Sequence, residues 1–124
     1  EVCIIMPHIP DKWYAFAVAK TYYRELIEAG VNIYEFTPGF VHAKVFVSDD
    51  DTATVGTVNL DYRSLYLHFE NGVWFYKNKV IQDILSDFQE TLNYCDPISI
   101  DFCRNRNIVI RAFQSILRLF APLL

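Results

Sequence analysis

The first 36 residues leave few choices of architecture. Val2–Met6 is an apolar run closed by Pro7, and Val31–Phe36 is a second run rich in Val, Ile, Tyr and Phe. Runs this short, bounded by Pro and Gly, read as buried strands. Between them Trp13, Phe16, Ala17, Tyr22, Leu26 and Ile27 recur at helical intervals. The pattern predicts a helix with Asp11 as its N-cap, running to about Ala29 and stopped by Gly30. Pro7-His8-Ile9-Pro10 must be an extended loop, because each proline restricts itself and the residue before it.

The same alternation continues. Val41–Ser48 and Ala53–Asn59 are rich in Val and alternate with period two, and Asp49-Asp50-Asp51-Thr52 joins them as a predicted hairpin. Asp61–Leu65 reads as a loop or short helical turn, Asn71–Tyr76 as an aromatic strand, and Val80–Asn93 as an amphipathic helix. After Asp96-Pro97 the chain is expected to be helical to its end. Strands alternating with covering helices define the class as α/β, a mixed β-sheet flanked by helices. A chain of 124 residues is enough for one compact domain. It opens on Glu1-Val2-Cys3 with neither an initiator Met nor a basic leader, and is expected to be a fragment of a longer protein.

Charge narrows the partners. Residues 1–103 hold 7 basic and 15 acidic side chains, a net −8, whereas residues 104–124 hold Arg104, Arg106, Arg111 and Arg118 and no acid, a net +4. A body this acidic is a poor nucleic-acid binder, since phosphate contacts by Lys and Arg supply most of that affinity. A short cationic, apolar tail suits an anionic membrane surface better. The longest stretches without a charge, Val2–Pro10 and Thr52–Leu60, have nine residues, too few to span a bilayer. Cys3, Cys95 and Cys103 are odd in number and lack C-x-x-C spacing, so they are expected to be reduced thiols.

One stretch carries chemistry. His42-Ala43-Lys44-Val45-Phe46-Val47-Ser48-Asp49 is followed by Gly56-Thr57-Val58-Asn59, the pattern H-x-K-x4-D-x6-G-T-x-N. On a strand His42 and Lys44 share a face about 7 Å apart, and Thr57 and Asn59 share a face on the next strand. Brought together, they form a wall of imidazole, ammonium, hydroxyl and amide. Such a wall is short of carboxylates and rich in donors, which suits a phosphate. Asp49 has the opposite parity and is expected to point away and support the turn. The pattern's five fixed types, His, Lys, Asp, Gly and Asn, match by chance at ~3 × 10⁻⁷ per register.

At these residues the sequence resembles the phospholipase D superfamily. Asn59-Leu60-Asp61-Tyr62-Arg63-Ser64-Leu65 with His68-Phe69-Glu70-Asn71, the opening Ile4-Ile5-Met6-Pro7-His8-Ile9-Pro10-Asp11, Tyr22-Tyr23-Arg24-Glu25-Leu26 and the ending Leu117–Leu124 are similar to the C-terminal half of bacterial cardiolipin synthases. The resemblance implies one lobe of the phospholipase D fold over residues 1–103, with residues 104–124 as a basic amphipathic helix packed on the lobe or on a membrane. It implies a phosphatidyltransferase that makes cardiolipin from two phosphatidylglycerol molecules through a phosphohistidine, with no metal or other cofactor. His42 would be a catalytic His, Lys44 and Asn59 would hold phosphate oxygens, Glu70 would orient a motif His, and Thr57, Gly56, Asp49, Asp61 and Arg63 would support them. His8, in a loop similar to one in the synthases, is a substrate-loop candidate whose alternative is an ordinary exposed histidine. The superfamily site needs two H-x-K motifs and this chain has one. Either an N-terminal half of the same protein supplies the second, or two copies pair. The implied location is a bacterial cell membrane, anchored by spans outside this chain, with the lobe on the cytoplasmic side. Rival readings are a homodimeric phosphodiesterase acting on nucleic acid, disfavoured by the acidic body, and a non-catalytic membrane-binding module.

Four other features carry expectations. Asp49-Asp50-Asp51 reads as a solvated turn rather than a cation site, and Asp61 and Arg63 as an ion pair clamping the turn. Trp74-Phe75-Tyr76 reads as core strand. In the tail, Arg104, Asn107, Arg111, Gln114 and Arg118 make one polar stripe, opposite Val109, Ile110, Phe113, Ile116, Leu117 and Phe120, with Pro122 at its end. That helix either lies in a bilayer surface or docks on protein with its Arg side chains in solvent.

Overall fold

The computed structural model describes residues 1–104 and 108–121. Its elements run β1 (Val2–Pro7), α1 (Trp13–Glu28), β2 (Val31–Phe36), β3 (Val45–Ser48), β4 (Thr52–Gly56), α2 (Tyr62–Tyr66), β5 (Gly72–Tyr76), α3 (Val80–Leu92), β6 (Cys95–Pro97), α4 (Ile100–Arg104) and α5 (Ile108–Arg118). The α/β class and the mixed sheet hold. β1 and β2 pair in parallel, from Val2 opposite Val31 to Pro7 opposite Phe36, and β6 joins β2 antiparallel. The remaining strands form a second, antiparallel sheet in the order β3-β4-β5.

Helices weld the two sheets. α1 packs on β2 and is itself covered by α4 and α5, while α3 touches β2 of one sheet and β3 and β4 of the other. The fully buried apolar side chains follow this layout: Val18 and Tyr23 on α1, Ile33 on β2, Ala53 on β4 and Ile81 on α3. Ala53 and Ile81 meet where α3 crosses the second sheet, and a small residue at the strand lets the helix approach.

Several boundaries differ from the sequence pattern for local reasons. Lys12, not Asp11, precedes α1, and its side chain makes no capping bond. Asp11 is turned elsewhere, as described below. Trp13 stands exposed in the first turn of α1, edge-on to Tyr14. The strand expected from Val41 begins only at Val45, and the strand expected to Asn59 ends at Gly56. β6, a three-residue strand, emerges where Tyr34, Glu35 and Phe36 offer it an open edge, which no local pattern announces. Trp74 and Tyr76 are on a strand but not in a core: they stack on each other at 5.7 Å on the open face of β5, with Phe75 turned inward. Cys3, Cys95 and Cys103 are free thiols.

In the tail, α5 lies along α1 with Arg118 facing inward, against the expectation that a docked helix would keep Arg118 in solvent. Its guanidinium grips both carboxylate oxygens of Glu25 at 2.6 and 2.8 Å and lies 4.0 Å over the Tyr22 ring. Gln114 is buried on the same side. Arg106, Asn107, the Arg111 side chain and Pro122 lie outside the described residues.

The hairpin closes through Asp49 and Asp50, both with positive φ (53° and 58°), and Asp51 N–H donates to Ser48 C=O at 3.3 Å. Such a turn matches the twist of the flanking strands, and Asp tolerates the left-handed region better than most residues. At the other end, a Cβ added to Gly56 would collide with the Asn71 carbonyl oxygen and lie 2.6 Å from Gly72 Cα. Gly56→Ala is therefore expected to destabilise the domain by about 1–3 kcal/mol, whereas Gly39→Ala, with open space around it, should shift stability by less than about 0.5 kcal/mol. Urea unfolding of both variants checks this.

Candidate active site

The site grows from the end of the β3–β4–β5 sheet. Gly56 N–H donates to the Lys44 carbonyl at 3.1 Å, and Thr57 N–H donates to the Asn71 carbonyl at 2.9 Å. These two bonds hold the residues before β3, after β4 and before β5 in one cluster. His42 and Lys44 lie just outside the strand, so their relation is set by a local contact rather than by strand parity: Lys44 Nζ donates to the His42 carbonyl oxygen at 2.9 Å. The His42 ring is exposed and stacks on Phe40, 5.8 Å between centroids and 14° between planes.

Around Lys44 the structure collects carboxylates, which corrects the expectation of a wall short of them. Asp11, Glu70 and Asp61 all act on its ammonium, favouring the charged form. Burial acts more strongly in the other direction and pulls the Lys44 pKa below the ordinary lysine range. Asp11 reaches this cluster because its loop swings away from α1, and its Oδ2 stands 3.7 Å from His42 Nε2. Sequence reading treated Asp11 as a helix cap. A polar residue just before a helix serves either role, and only the loop's path decides.

The second knot joins Thr57, Asn59, Ser64 and Glu70. Asp61 caps α2, its Oδ1 accepting from Ser64 N–H at 2.7 Å. That bond brings the buried Ser64 hydroxyl to accept from Asn59 Nδ2 at 3.2 Å. Glu70 accepts from the Thr57 hydroxyl in a short hydrogen bond, and the Thr57 oxygen also accepts from Asn71 N–H at 3.0 Å. The Thr57 and Ser64 hydroxyls hold the Glu70 carboxyl below the usual carboxylate range. Its nearest histidine is His68, with Nδ1 3.7 Å away, and no described contact joins Glu70 to His42. Arg63 donates from Nε to His68 Nε2 at 3.2 Å, so the expected Asp61–Arg63 ion pair is replaced by a helix cap and an Arg–His contact. α2 is a single turn, and its cap consumes the Asp61 carboxylate.

Asp49 lies in the hairpin turn, where its Oδ2 accepts from Ser48 Oγ at 3.0 Å, at the opposite end of β3 from His42. His8 belongs to a different cluster. Its Nδ1 is 3.0 Å from Oε2 of Glu35, a buried carboxylate that also meets Lys20 Nζ at 2.9 Å and accepts from Tyr23 O–H at 3.3 Å. This bond ties the Pro7–Asp11 loop to β2, and so fixes where Asp11 can reach. Among the described residues no group of three or more His, Cys, Asp or Glu side chains is placed to hold a metal ion. Phe40, Asp11, Ser64 and His68 join the site only in three dimensions.

An α/β domain presenting one H-x-K-x4-D-x6-G-T-x-N constellation at the end of an antiparallel sheet is a phospholipase D-like lobe. The chain belongs to the family described as cardiolipin synthase, PLD-like domain, which matches residues 1–92. Over all 124 residues it is 51% identical to an uncharacterized protein of Streptococcus mutans, 40% identical to a cardiolipin synthase of Halalkalibacterium halodurans and 39% identical to cardiolipin synthase 2 of Bacillus anthracis. It spans 27%, 25% and 24% of their lengths, about a quarter of each.

The Thr57–Glu70 bond generates a pH prediction. A carboxyl held below its unfolded value of about 4.3 contributes stability that is fully present above that value and lost as pH falls through the folded-state value. Thr57→Val should raise the Glu70 pKa toward the ordinary range and flatten the acid limb of the stability curve. Carboxyl titration by NMR, with urea unfolding between pH 2 and 6 (roughly the carboxylate range), reads both effects.

Proposed function

We propose that this chain supplies one of two H-x-K half-sites of a phosphatidyltransferase that makes cardiolipin from two phosphatidylglycerol molecules and releases glycerol. The observation that carries the reading is the meeting of His42, Lys44, Thr57 and Asn59 at one end of the β3–β4–β5 sheet, in a chain of this family. A phosphodiester anion fits there, with the Lys44 ammonium and the Asn59 amide as donors to its oxygens and to the charge that builds on them in the transition state.

Two imidazoles are needed, His42 and the corresponding His of the other half-site. One attacks phosphorus, forming a P–N bond as the P–O bond to glycerol breaks, and the other protonates the departing glycerol oxygen. The acidic partner, now a base, takes the proton from a hydroxyl of the second phosphatidylglycerol. That hydroxyl oxygen attacks phosphorus, and the P–N bond breaks to release cardiolipin. Two inversions return the original configuration at phosphorus. Imidazole suits both roles because its unperturbed pKa of about 6.5 lies near neutrality. Lys44 and Asn59 orient the phosphate, while Thr57, Asp61 and Ser64 hold Glu70 and Asn59 in place.

The second half-site belongs to an N-terminal half of the same protein in this reading, and the lipid substrate places the site at a bacterial cell membrane, the lobe on its cytoplasmic side. No described helix is long and apolar enough to cross a bilayer, so anchoring spans would lie outside this chain. The net −8 of residues 1–103 weighs against a nucleic-acid phosphodiester as substrate.

In the intact protein, His42→Ala should reduce cardiolipin formation from phosphatidylglycerol by at least about 10³-fold, and Lys44→Ala or Asn59→Ala by about 10²–10³-fold. Thin-layer separation of lipid products reads this directly. Wild-type cardiolipin formation by the His42 variant would overturn the assignment.

A further inference from the structure

The tail helix is docked inside out. Arg118 is spent on Glu25 and Tyr22, and Gln114 is buried beside it, so the polar edge of α5 faces α1. Ile110, Phe113, Ile116, Leu119 and Phe120 therefore point outward and are 49–78% exposed. Turning the helix about its axis would bury these groups and hydrate the polar ones, which is how an amphipathic helix normally docks on its own domain. Here the Glu25–Arg118 fork holds it the other way. Five large apolar side chains on one helical face form a patch that water does not favour.

The apolar surface does not stop at α5. Leu119 and Arg118 line one cleft together with Tyr62, the first residue of α2. α2 and the residues around it carry exposed Leu60, Tyr66, Leu67 and Phe69, bracketed in sequence by Asn59 and Glu70 of the candidate site. One apolar apron thus runs from the outer face of α5 to the rim of the site.

We infer that this apron, led by Ile110, Phe113, Ile116, Leu119 and Phe120, seats on an anionic phospholipid bilayer. The charge distribution selects that occupant. Residues 104–124 carry Arg104, Arg106, Arg111 and Arg118 with no acid, in a chain whose remainder is at −8. An anionic surface repels the body and attracts only the segment that bears the apolar face, which orients the molecule before any side chain inserts. A helix lying in the headgroup region has its apolar side in the acyl boundary and its polar side away from it. In α5 the polar side away from the bilayer is the side held by Glu25. The helix is then a layer between lobe and lipid, and the site at the far edge of the apron opens at headgroup level. This goes beyond the reaction proposed above and does not need it.

Flotation of this chain with phosphatidylcholine vesicles containing phosphatidylglycerol, against phosphatidylcholine alone, tests the seat without any activity. Stronger flotation with the anionic vesicles, weakened by added salt, is expected. Phe113→Asp combined with Ile116→Asp should weaken it more than about tenfold, while Phe113→Leu with Ile116→Leu should keep it within about threefold. Both positions are exposed, and unchanged circular dichroism and melting establish that the variants fold. Undiminished flotation of the folded Asp pair would overturn the inference, as would a wild-type chain that stays with the aqueous phase. A mass that rises with concentration in sedimentation and falls to the monomer in the Asp pair, without flotation, would assign the face to a second copy instead. Because no turnover is measured, failure here leaves the phosphatidyltransferase reading standing, and an inactive His42→Ala protein that still floats separates the two from the other side.

Discussion

The close backbone approach at Gly56 is the constraint on which the site depends. On one side its N–H holds the Lys44 carbonyl, and on the other its Cα lies against Gly72 and the Asn71 carbonyl, where any side chain would collide. That approach lets three segments meet: the end of the H-x-K stretch, the G-T-x-N stretch and the entry to β5 with Glu70. Lys44, Thr57 and Glu70 become neighbours because one residue has no Cβ. The fixed Gly of the motif is thus a packing requirement, and the chemical groups around it are positioned by that packing.

Carboxylates recur around the ammonium, and this gives the site its electrostatic character. Asp11, Asp61 and Glu70 surround Lys44, yet each is engaged: Asp61 caps α2, Glu70 accepts from Thr57, and Asp11 stands beside His42. A phosphate entering this cluster meets donors whose counter-charges are already fixed by hydrogen bonds. Such fixed groups do not reorganise when charge moves, which is the physical basis of electrostatic catalysis. The buried Glu35 plays a parallel role away from the chemistry. By holding His8, Lys20 and Tyr23 it sets the loop that carries Asp11.

Much of the fold was legible because burial imposes periodicity. The apolar runs at Val2–Met6 and Val31–Phe36, the helix between them and the amphipathic segment from Val80 are where the pattern places them to within a few residues. What was not legible has a common cause. β6 exists because β2 has a free edge, α5 is rotated because Glu25 lies 93 residues earlier at the right height on α1, and Asp11 leaves its cap because the loop is tied to Glu35. Each is decided by a partner distant in sequence. Local propensity is silent on such partners.

By itself, then, the sequence determined the alternation of elements, the asymmetric charge and the presence of His42, Lys44, Thr57, Asn59 and Glu70 at phospholipase D-like spacing, because residue type and interval carry that information. Tertiary structure alone decided that strand pairing ends at Gly56, so that His42 and Lys44 lie outside the ladder. It decided that Glu70 answers to Thr57 and Ser64 rather than to His42, and that the tail turns its apolar side outward. Those outcomes depend on which long-range contact satisfies a charge or a carbonyl first, and a side chain's nearest competitor for that contact is fixed only once the chain has folded.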